Sequence, residues 1–62
     1  HDAGQLEQAC DDAIATNAKI VEQYKAGHER VLMYLIGQVM KAMKGKANPE
    51  MVTTMLRKKL SS

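Results

Sequence analysis

The stretch His28-Glu29-Arg30-Val31-Leu32-Met33-Tyr34-Leu35-Ile36-Gly37-Gln38-Val39-Met40-Lys41-Ala42-Met43-Lys44 decides the fold. Within it, Val31, Leu32, Leu35, Ile36, Val39, Met40 and Met43 recur at helical spacing and form a wide apolar arc. A helix apolar over so much of its circumference has to be covered by other helices, which makes it the central element of a bundle. Gly45 is expected to end it, with Lys41 and Lys44 in the last turn complementing the helix dipole. The nearly uncharged run from Val31 to Met40 is about half of the ~20 residues that span a bilayer, so it reads as a core helix and no membrane partner is expected.

Working outward, three further helices come into view. Leu6, Ala9, Cys10, Ala13 and Ile14 place an apolar stripe on a first helix whose other face carries Glu7, Gln8, Asp11 and Asp12. Asp2 and Gln5 are spaced for a capping box at its start, and Thr16-Asn17 offers a stop and the next cap. A short second helix presents Ile20, Val21 and Tyr24 and ends at Gly27. On the other side, Asn48-Pro49 is a strong start signal for a fourth helix that runs to about Leu60 and buries Met51, Val52, Met55, Leu56 and Leu60. The expected fold is all-α, one small bundle of about four short helices occupying residues 1–62.

With 62 residues the chain has room for one such unit, and a unit of this size is marginal without a disulfide, a metal or a partner. Cys10 is the single cysteine, so no internal disulfide forms, which favours a reducing, cytoplasmic setting. On the apolar face of its helix it reads as a small buried hydrophobe, not a nucleophile. There is no Ser-His-acid or Cys-His spacing, no glycine-rich phosphate loop and no metal-ligand constellation, so neither catalytic nor metal residues are assigned. Adjacent Asp11 and Asp12 read as solvated charge. The five methionines read mainly as core packing. Because the chain begins with His1-Asp2, it reads as an excised piece of a longer protein.

The net charge of +2 conceals a polarised chain. Residues 1–29 hold six acids against two bases, whereas residues 30–62 hold seven bases against Glu50 alone. Such asymmetry suits a partner with a negative surface, nucleic acid first, although a plain solvated face carries the same charges. Laid out at 100° per residue, Arg30, Tyr34, Gly37, Gln38, Lys41 and Lys44 share one sector of the third helix, a stripe of roughly 21 Å. A mid-helix glycine costs about 1 kcal/mol relative to alanine, so Gly37 on that face calls for a compensating close approach. Either a sugar-phosphate backbone or a packed neighbouring helix would supply it. Lys46 adds charge in the turn beyond, and the Arg57-Lys58-Lys59 run reads as solubilising. With Tyr24 and Tyr34 the only aromatics, backbone and shape recognition is expected in preference to base stacking.

Two runs carry a family resemblance: Val21-Glu22-Gln23-Tyr24-Lys25-Ala26-Gly27, and Leu35-Ile36-Gly37-Gln38-Val39-Met40-Lys41-Ala42-Met43-Lys44-Gly45-Lys46-Ala47-Asn48-Pro49. Together they resemble the C-terminal tail domain of the B subunit of the aspartyl/glutamyl-tRNA(Asn/Gln) amidotransferases, with related tails in free-standing YqeY-type proteins. The resemblance implies a C-terminal fragment of a larger chain, part of a ligase that converts Glu-tRNA(Gln) or Asp-tRNA(Asn) to Gln-tRNA(Gln) or Asn-tRNA(Asn). It implies ATP and magnesium for the parent and no cofactor in this fragment, which is not expected to be catalytic alone. Its implied partners are tRNA and, through the parent, the A and C subunits. Gly27, Gly37, Gln38, Lys41, Lys44, Gly45 and Lys46 match the family pattern, and the RNA-binding candidates are Arg30, Tyr34, Gly37, Gln38, Lys41, Lys44 and Lys46. The chain departs from the pattern at Ala18, where proline is usual, and at His28, Met33 and Met43, where lysine, glycine and threonine are common. A helical protein-interaction module, or a stand-alone YqeY-type protein, is the alternative.

Overall fold

Leu35, Val39, Val52, Leu56 and Cys10 are completely enclosed, and they come from three different helices. The computed structural model describes residues 2–61, with side chains for residues 4–61. Its elements are α1 (Asp2–Thr16), α2 (Ala18–Lys25), α3 (Val31–Ala42) and α4 (Pro49–Leu60), and no strand occurs among the described residues. As the apolar arc requires, α3 is central and packs against α1, α2 and α4, while α4 also meets α1. Leu6, Ala13, Leu32 and Leu60 complete the core, and Ile20, Val21 and Tyr24 of α2 pack against it without being fully buried. The radius of gyration is 10.6 Å. This equals the value of about 10.6 Å that the size scaling gives for a close-packed chain of this length.

Capping follows the sequence at one junction and departs from it at others. Asn48 caps α4 as expected, its Oδ1 accepting from Glu50 N at 2.7 Å and Met51 N at 3.4 Å. Asn17 makes no such bond to α2. Its Nδ2 instead donates to Ala13 O at 2.8 Å, closing the end of α1. The expected capping box involves Asp2, whose side chain lies outside the described ones.

The α2 end is a Schellman turn: His28 N donates to Gln23 O and Gly27 N to Tyr24 O, each at 3.0 Å, with Gly27 at φ +110°. This turn consumes His28, so α3 starts at Val31 and not at about His28. The α3 end repeats the pattern one residue earlier than expected. Gly45 N donates to Met40 O at 2.9 Å and Lys44 N to Lys41 O at 3.0 Å, which puts Lys44, at φ 56°, in the left-handed position that glycine usually takes. Gly45 follows it at φ +74°.

The methionines divide. Met40, Met43 and Met55 pack against the core, but Met33 is 74% and Met51 56% exposed. Met51 therefore leaves the buried set expected for α4. It lies about 100° from Val52 on the side away from Leu56, so its spacing to Met55 belongs to the outer edge of the helix.

Candidate nucleic-acid interface

Arg30, Tyr34, Gly37, Gln38, Lys41, Lys44 and Lys46 are all exposed. Arg30 precedes α3 but keeps helical dihedrals (φ −59°, ψ −30°), so it stays on the helical path. Lys44 does not, because the left-handed turn carries it off that path. The regular stripe therefore ends at Lys41 and is about 16 Å long, shorter than the projection. Lys44 and Lys46 are brought instead to a recess of about 300 Å³ that they line with Ala42, Met43 and Gln5 of α1. Among the described residues, Arg30, Lys41, Lys44 and Lys46 enter no ion pair.

Gly37 sits in open space, since a Cβ built there meets no atom within 4 Å. Nothing within the described chain covers it, and the cost of a mid-helix glycine is uncompensated by internal packing. Gly37→Ala is accordingly expected to stabilise the chain by about 0.5–1 kcal/mol, read as a higher urea midpoint. A drop in midpoint would mean that the glycine serves the fold.

The remaining charges behave differently. The Arg57-Lys58-Lys59 run fans out around α4, and only part of it is plain solvated charge. Lys59 Nζ lies 3.0 Å from both Glu7 Oε2 and Asp11 Oδ1, tying the last turn of α4 to the acidic face of α1. Asp11 is thus paired, and Asp12 accepts from Gln8 Nε2 at 3.0 Å. Arg57 approaches Glu29 at 4.0 Å with both side chains exposed, a contact of little weight.

The hydrogen bond to Glu7, followed by that to Asp11, raises the pKa of the Lys59 ammonium above the ordinary lysine value. A raised lysine stabilises the fold fully below the unfolded pKa of about 10.4, and that contribution fades as pH climbs through the folded value. The difference in urea midpoint between the wild-type chain and Lys59→Met is therefore expected to shrink in strongly alkaline buffer. A constant difference would exclude the clamp as its source. Cys10, completely enclosed, has its thiol pKa pushed up by burial, as an inert core residue should.

Two features were invisible in the sequence. Gln5 joins the lysine recess, and Lys59 bridges Glu7 and Asp11, but both pairings span most of the chain and leave no local spacing signal. Among the described residues no three His, Cys, Asp or Glu side chains converge to hold a metal ion. No helix among them is long and apolar enough to cross a membrane.

Fold and surface define a small helical module in which Arg30, Lys41, Lys44 and Lys46, exposed and in no ion pair among the described residues, lie along the central helix, at its start and in the turn that follows it. Residues 1–60 match the GatB domain family, and the chain belongs to it. It is similar to the B subunit of aspartyl/glutamyl-tRNA(Asn/Gln) amidotransferase from several bacteria. Identity is 58% over 60 residues with that of Laribacter hongkongensis and 53% over 60 residues with that of Albidiferax ferrireducens, each covering 97% of this chain. With the Janthinobacterium sp. (strain Marseille) protein it is 52% over 61 residues, or 98% of the chain. The chain spans 13% of the length of each of these relatives. No solved structure matches it.

Proposed function

We propose that this chain is the tRNA-binding tail of an amidotransferase B subunit. In that role it holds the tRNA while the parent converts Glu-tRNA(Gln) or Asp-tRNA(Asn) to Gln-tRNA(Gln) or Asn-tRNA(Asn), by transamidation that uses ATP and glutamine. The observation that carries the proposal is a set of exposed cations with no ion pair among the described residues: Arg30 and Lys41 on the open face at Gly37, and Lys44 and Lys46 in the turn beyond it. Lysine and arginine at this spacing neutralise backbone phosphates, and Tyr34 and Gln38 add hydrogen bonds between them. ATP and magnesium do not fit the described residues, which offer neither a converging carboxylate set nor a glycine-rich phosphate loop. They belong to other parts of the parent, as do the contacts with the A and C subunits.

Titrating the 62-residue chain with tRNA at several salt concentrations tests the reading. Four phosphate contacts are expected to give a slope of log affinity against log salt of about −3 to −4, with micromolar or weaker binding near physiological salt. Absence of binding at low salt would overturn it. A second reading is favoured by Met33 and Tyr34, 74% and 51% exposed on either side of Gly37: a protein-docking face. Under that reading Gly37→Leu breaks assembly of the parent complex and leaves the RNA affinity of the chain unchanged.

A further inference from the structure

The recess after α3 draws on both halves of the polarised chain. Gln5 comes from the acidic half, Lys44 and Lys46 from the basic half, and Ala42 and Met43 complete the wall. At about 300 Å³ it falls at the lower end of small-ligand sites. Three of the carbonyls at the end of α3 and in the turn after it already accept backbone hydrogen bonds. Met40 O accepts from Gly45 N at 2.9 Å, Lys41 O from Lys44 N at 3.0 Å, and Met43 O from Lys46 N at 3.1 Å. Facing the recess are donors that can offset the negative end of the helix: two ammonium groups without ion-pair partners and the Gln5 amide, none of which makes a side-chain hydrogen bond among the described residues.

Lys44 is the second observation. It holds a left-handed backbone, φ 56°, which disfavours every residue with a Cβ, at the place where glycine closes most such turns. A glycine stands next to it in Gly45, so the chain has the residue that would relieve the strain but places it one position late. Backbone strain held at a charged, exposed residue points from structure to function, because it sets the direction of a side chain that the fold itself does not use.

We infer that this recess is a phosphate-binding subsite in which Lys44 and Lys46 supply the charge and Gln5 the neutral N–H donor. It deepens the RNA reading, on which it rests for the source of the phosphate, and it brings α1 into a surface that charge alone confines to α3 and the turn after it.

The test compares Gln5→Glu with Gln8→Glu, an equal charge change on the same helix away from the recess, in tRNA titrations of the 62-residue chain. In parallel, the Gln5 side-chain amide signal is followed by NMR while tRNA, and separately inorganic phosphate at constant ionic strength, is added. Gln5→Glu is expected to weaken tRNA binding about tenfold and to reduce the salt slope by about 1, with Gln8→Glu changing affinity less than about twofold. Lys44→Gly is expected to weaken binding while the chain melts no lower than wild type.

Equal effects of the two glutamate variants, with an unmoved Gln5 amide in tRNA that does bind, would overturn the subsite and leave the RNA reading standing. Failure of tRNA to bind, with a saturable Gln5 shift in inorganic phosphate, would overturn the RNA reading and retain the subsite for free phosphate. A Gln5 amide indifferent to both ligands, in a chain that does not bind tRNA, would overturn both.

Discussion

Leu35→Ala is expected to leave a large fraction of the chain unfolded at physiological temperature. Leu35 is completely enclosed at the middle of α3, the helix that packs against all three others. Truncating such a leucine costs about 2–5 kcal/mol, the lost transfer energy plus the cavity left behind. A chain of this length holds only about 3–9 kcal/mol in total, at ~0.05–0.15 kcal/mol per residue. Cys10 is free, so no covalent tie limits the damage. Urea unfolding followed by circular dichroism reads the effect as a collapse of the midpoint, whereas Met33→Ala, on an exposed side chain, should stay within about 0.5 kcal/mol of wild type. A Leu35→Ala chain that unfolds at the wild-type midpoint would refute the central position of α3.

Lys41→Glu combined with Lys44→Glu is expected to reduce tRNA affinity by about a hundredfold at low salt. Under the proposed function each reversal removes a cation that would face phosphate and substitutes a repelling carboxylate, and the two together should lower the salt slope by about 2. Neither lysine has an ion-pair partner among the described residues, and both are exposed, so the fold should survive the change. The comparison that gives the result meaning is Lys19→Glu with Lys25→Glu, an identical charge change on the exposed side of α2. If both pairs weaken binding equally, only net charge matters and the α3 surface has no special role. If the α2 pair is nearly silent, the contact is local.

The helices were readable from the chain because each carries its own periodic apolar stripe and its own punctuation. Leu32, Leu35 and Val39 repeat at helical spacing, and Asn48-Pro49 starts α4 with local chemistry alone. Where the reading slipped, a local signal competed with a neighbour it could not see. Asn17 looked like an N-cap but found the Ala13 carbonyl first. Gly45 looked like the stop, yet the hydrogen-bond ring closed at Lys44. Met51 continues the apolar pattern of Met55 and so looked like core, although at 56% exposed it lies on the outer edge of α4. Most of the candidate surface was legible too, since residues from Arg30 to Lys41 share one helix. The recess was not, because Gln5 meets Lys44 and Lys46 only after the whole bundle has closed.

That closure depends on the end of α4. Leu60 is buried in the same core as Leu6, and the neighbouring Lys59 holds Glu7 and Asp11 at 3.0 Å. During synthesis α1 emerges first, but the last of its partners lie at the opposite end of the domain. The first helix can meet α2 and α3 earlier, but part of its apolar face stays uncovered until Leu60 has cleared the ribosomal tunnel. A stalled or prematurely ended message would release a chain that never closes, so quality control at translation would act on this domain as a single all-or-none object.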